Sequence, residues 1–268
     1  MIKDTLSGKK IHPIGIGTWG IGGTWEKETG NEQKGIDAIK YAIKNGLNHI
    51  DSGQIYGGGY TDELIGEAII KFNRKDLYIA NKLWETNVAK GKAKLAVELM
   101  LKKLGTDYID LLYIHKPWDD FPWREAIPQI NHLIKSGIVR QFGVSNFNLA
   151  QTKEAASISN YPIAANQLHY NVIYKEEVNL EMKRFCKQNN MQIIAYRPLE
   201  RAEILQNDVV NKIAMTNNVS AAQVALAWIL NQNIFPIPGA MERAYTKQNI
   251  LSVNIKLSDK EINQLNSL

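Results

Sequence analysis

Short apolar runs alternate with longer amphipathic stretches along the chain. Each run is four to six residues long and is bounded by polar or glycine-containing segments, which is typical of a β-strand. Between the runs, apolar residues recur at helical spacing. The predicted strands are Ile14–Gly17, Leu47–Ile50, Leu77–Ala80, Ile109–Ile114, Val139–Val144, Ala164–Gln167, Gln192–Ala195 and Ile234–Ile237. The predicted helices lie near residues 32–45, 61–71, 87–104, 123–136, 148–157, 176–189, 220–231 and 241–250.

The order of these elements predicts the architecture. Eight strands, each followed by a helix and with no proline-rich or serine-rich linker, favour a closed parallel barrel over an open sheet. The 268 residues fit one α/β domain, a (β/α)8 TIM barrel, which ordinarily takes roughly 250 residues. We therefore interpret residues 1–268 as a single domain. Residues Lys9 to His12 are expected to form a short N-terminal β-hairpin that closes the bottom of the barrel.

Composition narrows the possible functions. Apolar types make up 44% of the chain, enough for a large core without metals or disulfides. The net charge of +5 comes from interspersed residues, 32 Lys and Arg against 27 Asp and Glu, so no nucleic-acid partner is expected. The one cysteine, Cys186, cannot form an internal disulfide, and Met1 to Pro13 lacks an apolar signal core. We expect a cytoplasmic monomer with no membrane association.

The segment Gly15–Gly20 matches the pattern G-x-G-x-x-G of dinucleotide-binding folds. That pattern works by opening directly into a helix whose N-terminus faces the pyrophosphate. Here Gly22, Gly23 and Gly30 follow, and helical periodicity starts only near Asn31. We therefore interpret these glycines as a tight loop over the barrel mouth rather than as a Rossmann motif.

Polar side chains lie at the ends of six consecutive predicted strands. The carboxyl ends of barrel strands meet at one face, and the reacting groups of barrel enzymes lie there. The sequence therefore predicts an active site at this face. In strand order its residues are Asp51, Lys82, His115, Ser145 with Asn146, Gln167 and Tyr196.

Asp51, Lys82, Tyr56 and His115 together favour proton transfer. Asp51 and Lys82 come from neighbouring strands and can form an ion pair, which alone is as readily structural. Tyr56 lies five residues past Asp51, where Gly57–Gly59 can fold the phenol back over the mouth. An ammonium within about 4–6 Å lowers the pKa of a phenol, so we expect Lys82 to make Tyr56 a better acid. His115, alone more often a core residue, can then hydrogen-bond a carbonyl oxygen or help to protonate it.

Six segments resemble the aldo-keto reductases in order and spacing. The resemblance, to a short prokaryotic-type member, extends from Gly15 to Asn249. It implies a barrel that binds NADP(H) across its mouth without a Rossmann domain, and that reduces aldehydes or ketones or runs the reverse reaction. The segments are Asp51–Gly57, Asn81–Lys82, Ile114–Pro117, Gly143–Phe147, Asn166–Gln167 and Ala195–Leu199.

The resemblance implies roles for matching residues. Tyr56 is the expected general acid, Asp51 and Lys82 tune it, and His115 orients the carbonyl. Three polar residues hold the nicotinamide carboxamide, namely Ser145, Asn146 and Gln167. Tyr196 stacks on the nicotinamide ring. The expected cofactor contacts are Gly17, Thr18, Trp19, Asp51, Ser145, Asn146, Gln167, Tyr196, Arg197, Pro198, Leu199, Pro238, Gly239, Ala240, Arg243, Gln248 and Asn249.

The chain departs from the family at the expected adenosine end. Ile237–Ala240 stands where many members have Ile-Pro-Lys-Ser, and Tyr245 stands where a family Arg is expected. Groups that would grip the 2′-phosphate are thus missing, although Arg243 and Lys247 can substitute. Preference for NADP(H) over NAD(H) is implied by the resemblance alone. Arg197, where Ser is common, either reaches the pyrophosphate or forms a surface ion pair.

Three tryptophans are expected to line an apolar substrate pocket beside Tyr56 and His115. They are Trp19, Trp84 and Trp118, which follow predicted strands, although each alone is more often ordinary packing. The sequence ends soon after Leu257–Lys260, so we expect the long C-terminal loop of larger reductases to be absent. The site is then open and permissive.

Three other functions stay open. Lys82 can act as a Schiff-base nucleophile, as in barrel aldolases, although Asp51 opposes a neutral amine. A metal-dependent hydrolase can be imagined from His49, Asp51 and His115, but only one ligand pair is present and Tyr56 is idle. A cofactor-binding regulatory subunit, without significant turnover, keeps the nucleotide site and needs a partner-binding surface.

Overall fold

A ring of parallel strands organises the fold. The structure is a computed structural model, and it describes residues 3–4, 10–87, 91–117, 123–239 and 241–268. Among them, the main sheet has eight strands, each pairing with the next along the chain. The strands are β1 (Lys3–Asp4) and β2 (Lys10–Ile11) outside the ring, then β3 (Ile16–Gly17), β4 (His49–Asp51), β5 (Tyr78–Leu83), β6 (Ile109–Ile114), β7 (Val139–Ser145), β8 (Ile163–His169), β9 (Gln192–Tyr196) and β10 (Phe235–Pro236) within it.

The first and last strands of the ring, β3 and β10, lie next to each other. The amides of Gly15 and Gly17 donate to the carbonyl oxygens of Pro236 and Pro238, both at 2.9 Å. A Cβ on Gly17 would lie 2.8 Å from the carbonyl oxygen of Ile237, so only glycine allows this approach. These contacts close the sheet, and the predicted (β/α)8 barrel is confirmed.

Ten α-helices flank the strands in the described part of the chain, two more than predicted. The first additional helix is Asp208–Asn217, which begins after an Asn207 cap and is a second helix between the same two strands, where a simple strand–helix repeat predicts one. The second is Asp259–Asn266, which begins at a capping box of Ser258 and Glu261, a signal that the sequence carries. The helices are α1 (Glu32–Lys44), α2 (Tyr60–Ile69), α3 (Ala93–Leu104), α4 (Trp123–Ser136), α5 (Leu149–Ile158), α6 (Leu180–Gln188), α7 (Asp208–Asn217), α8 (Ala221–Asn231), α9 (Arg243–Leu251) and α10 (Asp259–Asn266).

Helix α8 is a core helix. Residues 223–229 are all buried, and Ser220 caps the helix through a capping box with Gln223. Helices α7 and α8 together have the length and apolar composition of a membrane span, but they bend by 93° at the break between them. No single described helix is long and apolar enough to cross a membrane.

An N-terminal hairpin is present, because β1 pairs with β2 in antiparallel register. Its second strand, Lys10–Ile11, lies in the predicted segment Lys9 to His12, but its first strand, Lys3–Asp4, lies before that segment. Asn48 ties it to the barrel: its side chain accepts from the amide of His12 at 2.9 Å and donates to the carbonyl oxygen of Lys10 at 2.8 Å. Ile11 is 2% exposed and packs against Tyr78 and other side chains of the barrel interior. The hairpin thus closes the end of the barrel opposite to the strand carboxyl ends.

A buried histidine lies near that closed end. His49 is 1% exposed, and neither ring nitrogen has a hydrogen-bond partner among the described residues. Its ring packs edge-on against Tyr78, with 5.5 Å between the centroids. Burial lowers the pKa of His49 to about 4, so the ring is neutral at physiological pH.

We expect His49→Leu to reduce the loss of stability on acidification. An unfolded histidine has a pKa near 6.5 and folded His49 about 4, so the unfolded state binds the proton first as the pH falls. The contribution of the neutral His49 ring to the free energy of unfolding is therefore fully present above pH 6.5 and is lost as the pH falls towards 4. Between pH 7 and pH 5 this loss is about 2 kcal/mol. Urea unfolding at both pH values measures this, and wild type should lose about that much more than the variant. Equal losses would contradict the assignment.

Candidate active site

The predicted residues meet at the carboxyl ends of the strands. Asp51, Ser145 and Tyr196 are the last residues of β4, β7 and β9. Lys82 is the penultimate residue of β5, and Gln167 lies on β8. His115 directly follows β6, and its amide donates to the carbonyl oxygen of Leu83 at 3.1 Å. The barrel thus brings together side chains from six neighbouring strands.

Lys82 is the centre of the site. Its ammonium donates to the Asp51 carboxylate, to the carbonyl oxygen of Ser52 at 2.7 Å and to the hydroxyl oxygen of Tyr56 at 3.2 Å. Lys82, Asp51 and Tyr56 are 1%, 2% and 8% exposed. Three contacts use all three ammonium protons. Because the Tyr56 oxygen accepts from Lys82, its own proton is free to be donated elsewhere.

A tight turn brings Tyr56 back over the mouth. Gly57, Gly58 and Gly59 all have positive φ, at 56°, 61° and 87°. The amide of Gly57 donates to the carbonyl oxygen of Thr24 at 2.8 Å, and a Cβ there would lie 2.6 Å from the carbonyl oxygen of Gly22. Successive left-handed residues explain why three glycines follow the tyrosine.

The electrostatics of Tyr56 correct one expectation. Burial raises the pKa of Tyr56 above its ordinary value, and the opposing effect of Lys82 is smaller. The expected net lowering is therefore wrong, and the phenol keeps its proton at neutral pH. Burial alone would lower the pKa of Lys82, but the Asp51 carboxylate raises it, so the amine stays charged. A charged amine opposes the Schiff-base alternative.

His115 lies beside the phenol as a neutral ring. Burial, with smaller contributions from Lys82 and Lys116, lowers the pKa of His115 to about 3. The rings of His115 and Tyr56 are 6.0 Å apart between centroids. Asn146 holds the backbone of His115 by donating to its carbonyl oxygen at 2.9 Å. Of the two roles predicted for His115, a neutral imidazole supports hydrogen-bond donation rather than proton delivery.

A buried polar network under the cluster was not predicted. Asp62 accepts from the Ser52 hydroxyl at 2.6 Å and from the Asn81 side-chain amide at 3.0 Å to each carboxylate oxygen. Asn81 in turn accepts from the amide of Lys82 at 2.7 Å. Burial raises the pKa of Asp62 to about 6. This network fixes the strand ends that carry Lys82 and Asp51.

The metal-hydrolase alternative gains no support. Among the described residues, no three His, Cys, Asp or Glu side chains are grouped closely enough to hold a metal ion.

The residues expected at the nicotinamide form one connected chain of hydrogen bonds. Gln167 donates to the second Asp51 oxygen at 2.7 Å, and the Ser145 hydroxyl donates to the Gln167 carbonyl oxygen at 3.0 Å. Asn146 donates to the Ser145 hydroxyl oxygen at 3.1 Å and accepts from the Tyr196 hydroxyl at 2.8 Å. Amide and hydroxyl groups beside an aromatic face suit a planar ring that carries a carboxamide. The residues present therefore fit a nicotinamide.

An aromatic stack that the sequence analysis missed supports Tyr196. His169 lies between Tyr174 and Tyr196, with centroids 3.9 Å and 5.3 Å apart and planes within 18° and 16° of parallel. His169 also pairs with Glu200, which accepts from the Asn171 side-chain amide at 2.7 Å. No local sequence pattern indicates the pair of His169 and Glu200, because these residues are far apart in the sequence and meet only in the folded chain.

The loop after β9 has a left-handed backbone. Arg197, Glu200, Arg201 and Ala202 have φ values of 48°, 41°, 51° and 78°. Arg197 lies 4.0 Å from the Glu200 carboxylate, which is the ion pair named as its alternative role. The Arg197 side chain is 45% exposed, so solvent reaches it despite this contact.

The expected adenosine end is partly described. Gly239 forms a bridge with Gly17, while Ala240 lies outside the described residues. The Arg243 guanidinium lies 4.9 Å from the centre of the Tyr41 ring. Asn249 is buried, at 4% exposed, on the same helix, α9.

The tryptophans surround the reacting groups. Trp19 packs edge-on against Tyr56 at 4.8 Å between centroids, and Trp84 packs against His115 at 5.1 Å. Trp25, which the sequence analysis missed, contacts both Trp19 and Trp84. Trp118 lies outside the described residues.

Comparison with known proteins identifies the family of the chain. The model of the Aldo/keto reductase family matches residues 13–268. The methylglyoxal reductase YeaE of Escherichia coli (strain K12) is 32% identical over 260 residues, or 94% of this chain and 89% of that protein. The crystal structure of the thermostable aldo-keto reductase Tm1743 with the inhibitor epalrestat has a TM-score of 0.94 at 35% identity, covering 100% of this chain and 99% of that one. An aldo-keto reductase from Klebsiella pneumoniae in complex with NADPH has a TM-score of 0.90 at 26% identity, covering 100% and 95%. The chain therefore belongs to the aldo/keto reductase family.

Proposed function

We propose that this chain reduces an aldehyde or ketone to the alcohol, or runs the reverse reaction, with Tyr56 as the general acid. The observation that carries the proposal is the buried contact of the Lys82 ammonium with both the Asp51 carboxylate and the Tyr56 hydroxyl oxygen. NADPH, when bound, supplies the hydride to the carbonyl carbon.

The four central residues handle the proton. The neutral His115 donates a hydrogen bond to the carbonyl oxygen and orients it beside Tyr56. As the carbonyl carbon gains the hydride, the Tyr56 O–H bond breaks and its proton moves to the substrate oxygen. The tyrosinate that remains is stabilised by the Lys82 ammonium, which Asp51 keeps charged. A proton from solvent then restores the phenol.

The donor set at the mouth supports cofactor contacts along an extended path. We assign the nicotinamide to the polar groups of Ser145, Asn146 and Gln167 and to the face of Tyr196. Arg243 and Lys247 are the cations we assign to the 2′-phosphate, and NAD(H) is a possible second cofactor. The residues we assign to contacts with the cofactor are Gly17, Thr18, Trp19, Asp51, Ser145, Asn146, Gln167, Tyr196, Arg197, Pro198, Leu199, Pro238, Gly239, Ala240, Arg243, Gln248 and Asn249.

Small carbonyl compounds are the substrates we infer. The relative from Escherichia coli is named a methylglyoxal reductase. Trp19, Trp84 and Trp118 are the residues we assign to the walls of the substrate site, beside Tyr56 and His115. An apolar wall with two polar groups at its base suits a compound with one reacting carbonyl and an apolar remainder.

The function is tested by following the absorbance of NADPH and of NADH with methylglyoxal, glyoxal, aromatic aldehydes, ketones and keto-sugars. We expect oxidation of NADPH with at least one carbonyl compound, faster than that of NADH. NADPH binding without turnover of any of them would support a regulatory subunit instead. Borohydride trapping of a carbonyl compound on Lys82 would support the aldolase alternative.

A further inference from the structure

Trp25 is a large apolar side chain held in water. It is 60% exposed, although it lies on the loop between β3 and α1 that borders the active site. Backbone hydrogen bonds hold this loop in place. The carbonyl oxygen of neighbouring Thr24 accepts from the amide of Gly57 at 2.8 Å, and the amide of Glu28 donates to the carbonyl oxygen of Gly22 at 2.9 Å. The backbone on each side of Trp25 is therefore fixed.

The Trp25 ring touches the walls of the site. It packs edge-on against Trp19 with 4.9 Å between centroids and lies 6.0 Å from Trp84. Those two rings contact Tyr56 and His115 in turn. We name Trp19, Trp25 and Trp84 the aromatic arc. Its outermost ring, Trp25, is one ring removed from the two side chains that meet the carbonyl.

Two of the most exposed apolar side chains in the described part of the chain have a different setting. Met215 is 80% exposed on α7, and Ile70 is 77% exposed just after α2. Scattered exposure of this kind is normal on a protein surface. Trp25 differs because a fixed backbone holds it against two active-site rings with most of its own surface open. An aromatic ring presented in this way is typical of a ligand contact.

We propose that Trp25 is a specificity-determining residue for carbonyl substrates that carry a planar apolar group. This rests on the proposed reductase function. A carbonyl bound at Tyr56 and His115 places such a group along the aromatic arc, where it covers the exposed Trp25 surface. A three-carbon dicarbonyl ends at the inner rings and does not use Trp25. The arc therefore adds binding energy for bicyclic aromatic aldehydes only.

The test compares Trp25→Ala with wild type on 2-naphthaldehyde and on methylglyoxal. We expect kcat/KM for 2-naphthaldehyde to fall about tenfold, mainly through KM, with less than a twofold change for methylglyoxal. Trp25→Phe keeps an aromatic ring and should recover much of the loss. Met215→Ala, which removes an even more exposed apolar side chain from α7, should leave kcat/KM for both substrates unchanged.

A binding measurement separates this proposal from the reductase function. Calorimetric titration with 2-naphthoate, in the presence of NADP⁺, should give a Kd about tenfold higher for Trp25→Ala than for wild type. Equal losses for both aldehydes, or unchanged naphthoate binding and naphthaldehyde kinetics, would overturn the role of Trp25. A wild type that reduces no carbonyl compound would overturn the reductase function, and the naphthoate titration would still decide on Trp25.

Discussion

Tyr56→Phe is expected to lower kcat for carbonyl reduction by roughly 10²–10⁴-fold while leaving the Kd of NADPH unchanged. The substitution removes only the hydroxyl that accepts from Lys82 at 3.2 Å. The ring stays, and with it the edge-on contact to Trp19. The loss should therefore fall on proton donation rather than on packing. Steady-state kinetics with an aldehyde and fluorescence titration with NADPH measure the two quantities.

Tyr60→Phe is the matched control for that variant. It also removes one phenol hydroxyl, at a position four residues further along the chain. The Tyr60 ring packs under the Lys27 ammonium instead of facing Lys82. Its kcat should match that of wild type. Undiminished turnover by Tyr56→Phe would exclude Tyr56 as the acid, and another proton donor at the mouth would have to be sought.

The pH dependence of reduction should reflect the buried phenol. Because burial raises the pKa of Tyr56, the hydroxyl keeps its proton throughout the neutral range. His115, with a pKa of about 3, stays neutral over the same range. Neither Tyr56 nor His115 changes its charge in the neutral range. We therefore expect no change in the slope of kcat against pH near pH 7 from either group.

The site residues at the strand ends could be predicted from the sequence alone. Asp51, Lys82 and His115 could be found because Asp51 and His115 directly follow an apolar run and Lys82 lies two residues past one. Barrel topology places such positions on one face. Tyr56 could be placed because the glycines after it permit the left-handed turn that is observed. Local pattern and topology were sufficient for these residues.

Other features depend on contacts that no local pattern records. His169 meets Glu200 across 31 positions, and Asp62 meets Asn81 across 19. The raised pKa of Tyr56 has the same origin, since it depends on how much protein surrounds the phenol. A sequence indicates a neighbouring charge more readily than it indicates the depth of burial. The predicted effect of Lys82 was real but smaller than the effect of desolvation.

Lys82→Met is expected to lower kcat by roughly 10²–10³-fold and also to destabilise the fold. The tyrosinate formed at Tyr56 would lose its stabilising cation. The Asp51 carboxylate, 2% exposed, would lose its partner and keep only neutral donors such as Gln167. Leaving a buried charge without its partner typically costs about 3–5 kcal/mol. Urea unfolding measures the free energy of unfolding, and the NADPH assay measures kcat.

The double variant Asp51→Asn with Lys82→Met separates the two effects. It removes both charges, so most of the lost unfolding free energy should return, because a buried pair replaced by neutral groups is often close to neutral in stability. Activity should stay low, since no cation remains beside Tyr56. Lys94→Met, which breaks an exposed pair with Glu98 at 3.7 Å, should leave both quantities almost unchanged. If the double variant regained activity along with stability, Lys82 would act only by holding the fold, and the cation would have no part in the chemistry.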